Sequence, residues 1–94
     1  MPDVPRRRVQ VVISGRVQGV GFRMSCQRQA VELGVTGWVR NRWDGAVEAL
    51  LVGAPAAVDQ MLAWCHHGPP MAVVTDVAVI DAPDGPDETG FRVR

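Results

Sequence analysis

Ser14–Arg23 reads S-G-R-V-Q-G-V-G-F-R, and its three glycines, at 15, 19 and 21, separate an alternating segment from a helix-compatible one. Residues without a Cβ turn the backbone tightly and can aim successive amide groups inward, so the stretch suits an anion cradle, with a plain strand-to-helix connector as the alternative. The apolar run that opens at Phe22 puts the end of this loop at a helix N-terminus, where unpaired N–H groups and the positive end of the dipole favour negative charge. Arg23 falls in that first turn. The dipole disfavours a cation there, so a bound anion explains it better than helix stability does. The spacing is neither G-x-x-x-x-G-K-[ST] nor G-x-G-x-x-G, which excludes the nucleotide-binding fingerprints.

Upstream of the loop, Arg7 to Ser14 alternates, with Val9, Val11 and Ile13 on one face, as a half-covered strand does. Residues 1–6, which include two prolines, read as a frayed lead-in. Downstream, Phe22, Cys26, Ala30 and Leu33 recur at helical spacing and Gly34 ends the helix. Val35 to Arg42 reads as a second strand, Asp44-Gly45 as a hairpin turn and Ala46 to Val52 as a third strand. Gly53 and Pro55 introduce a second helix whose apolar stripe is Val58, Met61, Leu62 and Cys65. Gly68-Pro69-Pro70 stops it. Ala72 to Asp81 is a valine-rich strand, Ala82 to Thr89 a loop, and Phe91 and Val93 mark a short last strand.

Strand, helix, strand, strand, helix, strand is the split βαβ order of ferredoxin-like α+β folds, with both helices on one face of an antiparallel sheet and here a short extra C-terminal strand. In a βαβ unit the first two strands run parallel, so their carboxyl ends share one edge. The loop after strand one and Asn41 near the end of strand two should therefore meet.

The 94 residues suit a single domain spanning 1–94. Formal net charge is zero, which argues against non-specific attraction to nucleic acid or an anionic membrane. All ten basic residues are arginine. Cys26 and Cys65 lie on inward helix positions without metal-ligand spacing and read as buried free thiols. No 18-residue apolar run exists, so a cytoplasmic chain is expected. Trp38, Trp43 and Trp64 are expected to pack rather than to serve as ligand platforms.

The segments G-R-V-Q-G-V-G-F-R (Gly15 to Arg23), G-W-V-R-N-R-W-D-G-A-V-E-A (Gly37 to Ala49) and G-P-P-M-A-V-V (Gly68 to Val74) together closely resemble the acylphosphatase family, in order and spacing across Val9 to Arg94. The resemblance implies a hydrolase of the carboxyl-phosphate bond of acyl phosphates that uses no metal and no cofactor. It places the phosphate in the loop before the first helix, so that Gly15, Arg16, Val17, Gln18, Gly19, Val20, Gly21 and Phe22 bind substrate. Arg23, closing the loop, is the family's phosphate-binding arginine, and Asn41 is its water-positioning asparagine. Two departures stand out. Many relatives carry a small or hydroxyl residue where this chain has Arg42, with Trp43 following, so rate or acyl preference should differ. Relatives often place an aromatic residue after the F-x-[IV]-R segment, whereas this chain ends at Arg94, which leaves a C-terminal contribution to holding Arg23 open.

The inventory suits that chemistry. A carboxylate leaving group has a conjugate-acid pKa of about 4 and departs at neutral pH without a general acid. Phosphoryl transfer to water needs chiefly positioning and charge stabilisation, which an arginine and fixed N–H donors supply. His66 and His67 end the second helix, where the dipole favours them, and are read as capping rather than catalytic. Cys26 follows Arg23 and points to the core, against covalent catalysis. RNA-recognition domains of similar topology stack bases on central-strand aromatics. Strands one and three have none, so no nucleic-acid partner is expected and a monomer is. A non-catalytic phosphate-sensing module on the same fold is the alternative.

Overall fold

A computed structural model describes residues 5–82, 85–86 and 88–94. Most of the expected lead-in and part of the expected loop after residue 82 lie outside the described residues. The elements are β1 (Arg7–Arg16), α1 (Phe22–Leu33), β2 (Thr36–Asn41), β3 (Val47–Gly53), α2 (Pro55–Cys65), β4 (Val73–Asp81) and β5 (Phe91–Val93). They build one sheet in the order β4-β1-β3-β2-β5. The first four strands pair antiparallel, which is the split βαβ arrangement. β5 instead lies parallel to β2, so the sheet is mixed and not wholly antiparallel. No helix among the described residues is long and apolar enough to cross a membrane.

Alternation in β1 and β3 decides which face is covered. Val9, Val11 and Ile13 sit opposite Leu51, Ala49 and Val47, and all six are buried on one face. Phe22, Cys26 and Ala30 of α1 and Val58, Met61 and Cys65 of α2 complete the same core cluster, so both helices pack on that face. Cys26 and Cys65 are free and buried, as their helical spacing indicates. On the other face Glu48 is buried as a charge, and it is paired: Nε of Arg40 donates to it at 2.7 Å and Nε2 of Gln10 at 3.1 Å. Such partners are what allow a carboxylate to lie out of water.

The first strand runs two residues past its expected end at Ser14. Gly15 and Arg16 pair with Val74 and Val73 of β4 across a register shift at Ser14/Gly15. Gly15 has φ 123°, and a Cβ there would stand 2.2 Å from the Val73 carbonyl oxygen. Its glycine is thus required by a β-bulge against a neighbouring backbone. The bulge bends the end of β1 into the loop and narrows that loop to residues 17–21.

Candidate active site

The loop between β1 and α1 is pinned at both ends by apolar side chains. Val17 is buried in the core, and Phe22 is buried with its ring 5.2 Å from Trp64 at a tilted 58°. Between them Gly19 and Gly21 take φ of 74° and 81°, the left-handed region open to glycine at little cost. Gly21 is the N-cap of α1 and has no side chain to cap it; the first turn carries no acidic residue. The helix therefore presents uncapped N–H groups to the loop's concavity.

β1 and β2 run parallel, each antiparallel to the intervening β3, so their carboxyl ends share an edge as the topology requires. Asn41 is the last residue of β2, and a cavity of about 150 Å³ beside it is lined by Val17, Gly19, Gly21, Phe22, Arg23, Met24, Asn41 and Val93. Thus the structure brings Arg23 and Asn41 to one cavity with the glycines of the loop. The volume is well below the roughly 300–1,000 Å³ of sites for drug-sized ligands, and it suits a small anion. A larger cavity of about 570 Å³ lies toward the other end of β1, lined by Arg6, Arg7, Arg8, Val52, Asp81, Gly85 and Pro86. There Arg7 is paired with Asp59, and among the described residues the lining includes no helix N-terminus. The smaller cavity is the one beside the glycine loop and the uncapped N-terminus of α1.

Four residues of the expected binding stretch are absent from the cavity lining. Gly15 and Arg16 belong to β1 and pair with β4. Val20 is partly buried against the core. Gln18 turns its amide toward the β2–β3 hairpin, where Nε2 donates to the carbonyl of Arg42 at 2.7 Å and of Ala46 at 3.0 Å.

Arg23 is held from the C-terminal side, although the aromatic residue that relatives often carry there is missing. Nη1 donates to the main-chain oxygen of Arg94 at 3.0 Å, and the N–H of Arg94 donates to the Val39 carbonyl at 2.8 Å. The guanidinium of Arg94 lies 4.6 Å from the centre of the Trp38 ring, within cation–π range. The main chain that follows β5, which is itself held on β2, thus supports Arg23 through a backbone oxygen rather than a side chain. Met24 and Val93, which the sequence reading did not single out, line the cavity. Val93 could have been found from its place in β5 had the parallel pairing with β2 been foreseen.

The hairpin after Asn41 is tightly tied. Arg42 forms an ion pair with Asp44, Nη2 to Oδ2 at 3.0 Å, and the N–H of Ala46 donates to Oδ1 of Asp44 at 3.1 Å. The Ala46 N–H bond and the Arg42 guanidinium hold the Asp44 carboxyl below its ordinary range. Arg42 is therefore engaged in the turn and does not line the cavity. Trp43 is 96% exposed, which corrects the expectation that it packs: it sits in the hairpin turn, where no element covers it. His66 is the C-cap residue of α2, and both histidines are exposed and outside the cavity lining.

A family model described as Acylphosphatase matches residues 9–93. The chain belongs to the acylphosphatase family. It is 56% identical over 88 residues to an acylphosphatase of Trichormus variabilis, covering 93% of this chain and 85% of that one. To an acylphosphatase of Rubrobacter xylanophilus it is 52% identical, over 94% of this chain and 80% of the other. The solved structure of an acylphosphatase from Coxiella burnetii superimposes with a TM-score of 0.90 at 38% identity, covering 95% of this chain and 93% of that chain. The match at residues 9–93 spans the loop, α1, the hairpin and β5.

Proposed function

We propose that this single domain hydrolyses the carboxyl-phosphate bond of small acyl phosphates in the cavity between the glycine loop and the end of β2. The observation that carries this reading is the convergence of Arg23, Asn41 and the loop glycines on one cavity at an uncapped helix N-terminus. The N–H groups of the 17–21 loop and of the first turn of α1 hold the phosphate oxygens, and Arg23 adds a charge-assisted fork. Asn41, with one donor-bearing and one acceptor atom on a neutral amide, orients the water for in-line attack. Attack at phosphorus breaks the bond to the carboxyl oxygen, and carboxylate and inorganic phosphate are the products. The carboxylate leaves unprotonated because its conjugate acid is already strong, so no general acid is needed at neutral pH.

On this reading neither metal nor organic cofactor takes part, since the arginine and the N–H groups supply the charge stabilisation. The enzyme acts as a monomer in the cytoplasm, a compartment in which free thiols such as those of Cys26 and Cys65 persist. Hydrolysis of acetyl phosphate by the wild type in the presence of EDTA, lost in Arg23→Ala, is the result expected. Phosphate binding without turnover would favour the non-catalytic module instead.

A further inference from the structure

We infer that Gln18 is a positioning residue whose side-chain amide clamps the anion loop to the β2–β3 hairpin and so fixes Asn41 opposite the loop's N–H groups. Two hydrogen bonds leave one nitrogen: Nε2 donates to the Arg42 carbonyl at 2.7 Å and to the Ala46 carbonyl at 3.0 Å. A primary amide nitrogen carries two hydrogens, so its donor capacity is fully used. Its two acceptors flank the hairpin turn. The Ala46 carbonyl also receives the N–H of Arg42 at 2.8 Å, and the Arg42 carbonyl receives that of Gly45 at 3.3 Å. Gln18 therefore closes the mouth of the hairpin as well as joining it to the loop, and Asn41 immediately precedes the first clamped residue. Gln18 is half-buried and does not line the cavity, so its effect on the reaction is exerted through Asn41.

The clamp also explains why the residue is an amide. A carboxylate of the same length would place negative charge against two carbonyl oxygens, and a thioether would leave both without this donor. Neither the loop nor the hairpin is joined to the other by regular strand pairing at this point, since β1 and β2 are separated by β3. A displacement of about 1 Å of a reacting group can cost on the order of 100-fold in rate, so a single tie of this kind can matter to turnover.

The inference rests on reading Asn41 as the residue that holds the water, and the experiment separates the two. Gln18→Met, Gln18→Glu and the shorter amide Gln18→Asn are compared with Gln10→Met, which severs the Gln10–Glu48 hydrogen bond on the open face of the sheet. In Gln18→Met and Gln18→Asn, kcat for acetyl phosphate should fall about 10- to 100-fold while KM and inhibition by inorganic phosphate change little. Gln10→Met should keep wild-type kcat at whatever stability loss it suffers. Gln18→Glu should be the least active at neutral pH, and its activity relative to wild type should recover as pH falls toward 5 and the new carboxyl gains a proton to donate. Without substrate, amide exchange at Arg42 should quicken about 2- to 10-fold in the Gln18 variants. Retained kcat with unchanged exchange would overturn the clamp, and loss of phosphate affinity with retained kcat would make Gln18 a binding residue instead. Failure of wild type to hydrolyse acetyl phosphate would instead overturn the functional reading, leaving the exchange measurement to decide the clamp by itself.

Discussion

Nη1 of Arg23 donates to the main-chain oxygen of Arg94 at 3.0 Å, so the cation of the proposed phosphate site is held by the residue that follows the edge strand β5. Among the described residues no other hydrogen-bond partner of that guanidinium is found, which leaves a planar set of donors for a ligand. Lysine has no such fork. It cannot bond Arg94 and place two parallel hydrogen bonds on one phosphate. Loss of one charge-assisted bond, worth about 1.5 to 3 kcal/mol, predicts a roughly 10- to 100-fold loss of activity in Arg23→Lys. Circular dichroism should show the fold intact. Near-wild-type hydrolysis by Arg23→Lys would show that the anchor lies elsewhere.

Asn41 should respond differently to charge and to truncation. One added negative charge about 4 Å from a phosphate costs on the order of 4 kcal/mol per facing unit charge at an effective dielectric near 20. Asn41→Asp is therefore expected to weaken inhibition by phosphate and to lower turnover. Asn41→Ala should lower turnover and leave phosphate affinity nearly unchanged. Inhibition constants measured beside turnover numbers separate these outcomes. Severe loss of phosphate affinity in Asn41→Ala with turnover retained would contradict its role as the holder of water.

Substrate preference should follow the acidity of the leaving group. Acetyl phosphate and carbamoyl phosphate are expected to be cleaved, while alkyl phosphate monoesters should be nearly inert because an alkoxide departs poorly without a proton donor. Among the described residues the cavity lining offers neither a histidine nor an acidic side chain for that task. EDTA should leave the rate unchanged in a steady-state assay. Efficient monoester hydrolysis, or a rate restored by added metal, would point to another mechanism.

Much of this could be read in the residues. The alternation of Val9, Val11 and Ile13, the helical spacing of Phe22, Cys26 and Ala30 and the Asp44-Gly45 turn are local signals, and each marks the element found there. The meeting of the loop with Asn41 followed from the parallel run of two strands in a βαβ unit. What the residues concealed depends on partners distant in the chain. Gly15 looked like a ligand-binding glycine because a β-bulge against Val73 leaves no mark in the neighbouring sequence. The parallel docking of β5 on β2, which supports Arg23, is fixed by pairing between Gly37 and Phe91 that no local pattern specifies. The direction taken by the Gln18 amide is likewise a property of the assembled fold.

The two buried thiols give the chain a pH dependence that can be isolated. Burial pushes Cys65 up from 9.0 to about 12. Burial, then the neighbouring Cys65, also pushes Cys26 well above 9.0. The sequence has no lysine and no tyrosine, arginine stays protonated, and an α-amino group titrates at about 8, below the window. Above about pH 9 the unfolded chain releases thiol protons that the folded chain retains, so the unfolded state binds fewer protons and stability falls as pH rises. The stability is fully present below the unfolded pKa and is lost as pH climbs through the folded values, for Cys65 about 12. The slope should approach about 1.4 kcal/mol per pH unit for each thiol. Urea midpoints measured across this range should show it in wild type and lose it in the Cys26→Ala/Cys65→Ala variant, which starts from a lower stability because two core side chains are shortened. Iodoacetamide should leave the folded enzyme active at pH 8, since neither thiol is exposed or ionised there. An unchanged slope in the double variant would assign the alkaline loss to other groups.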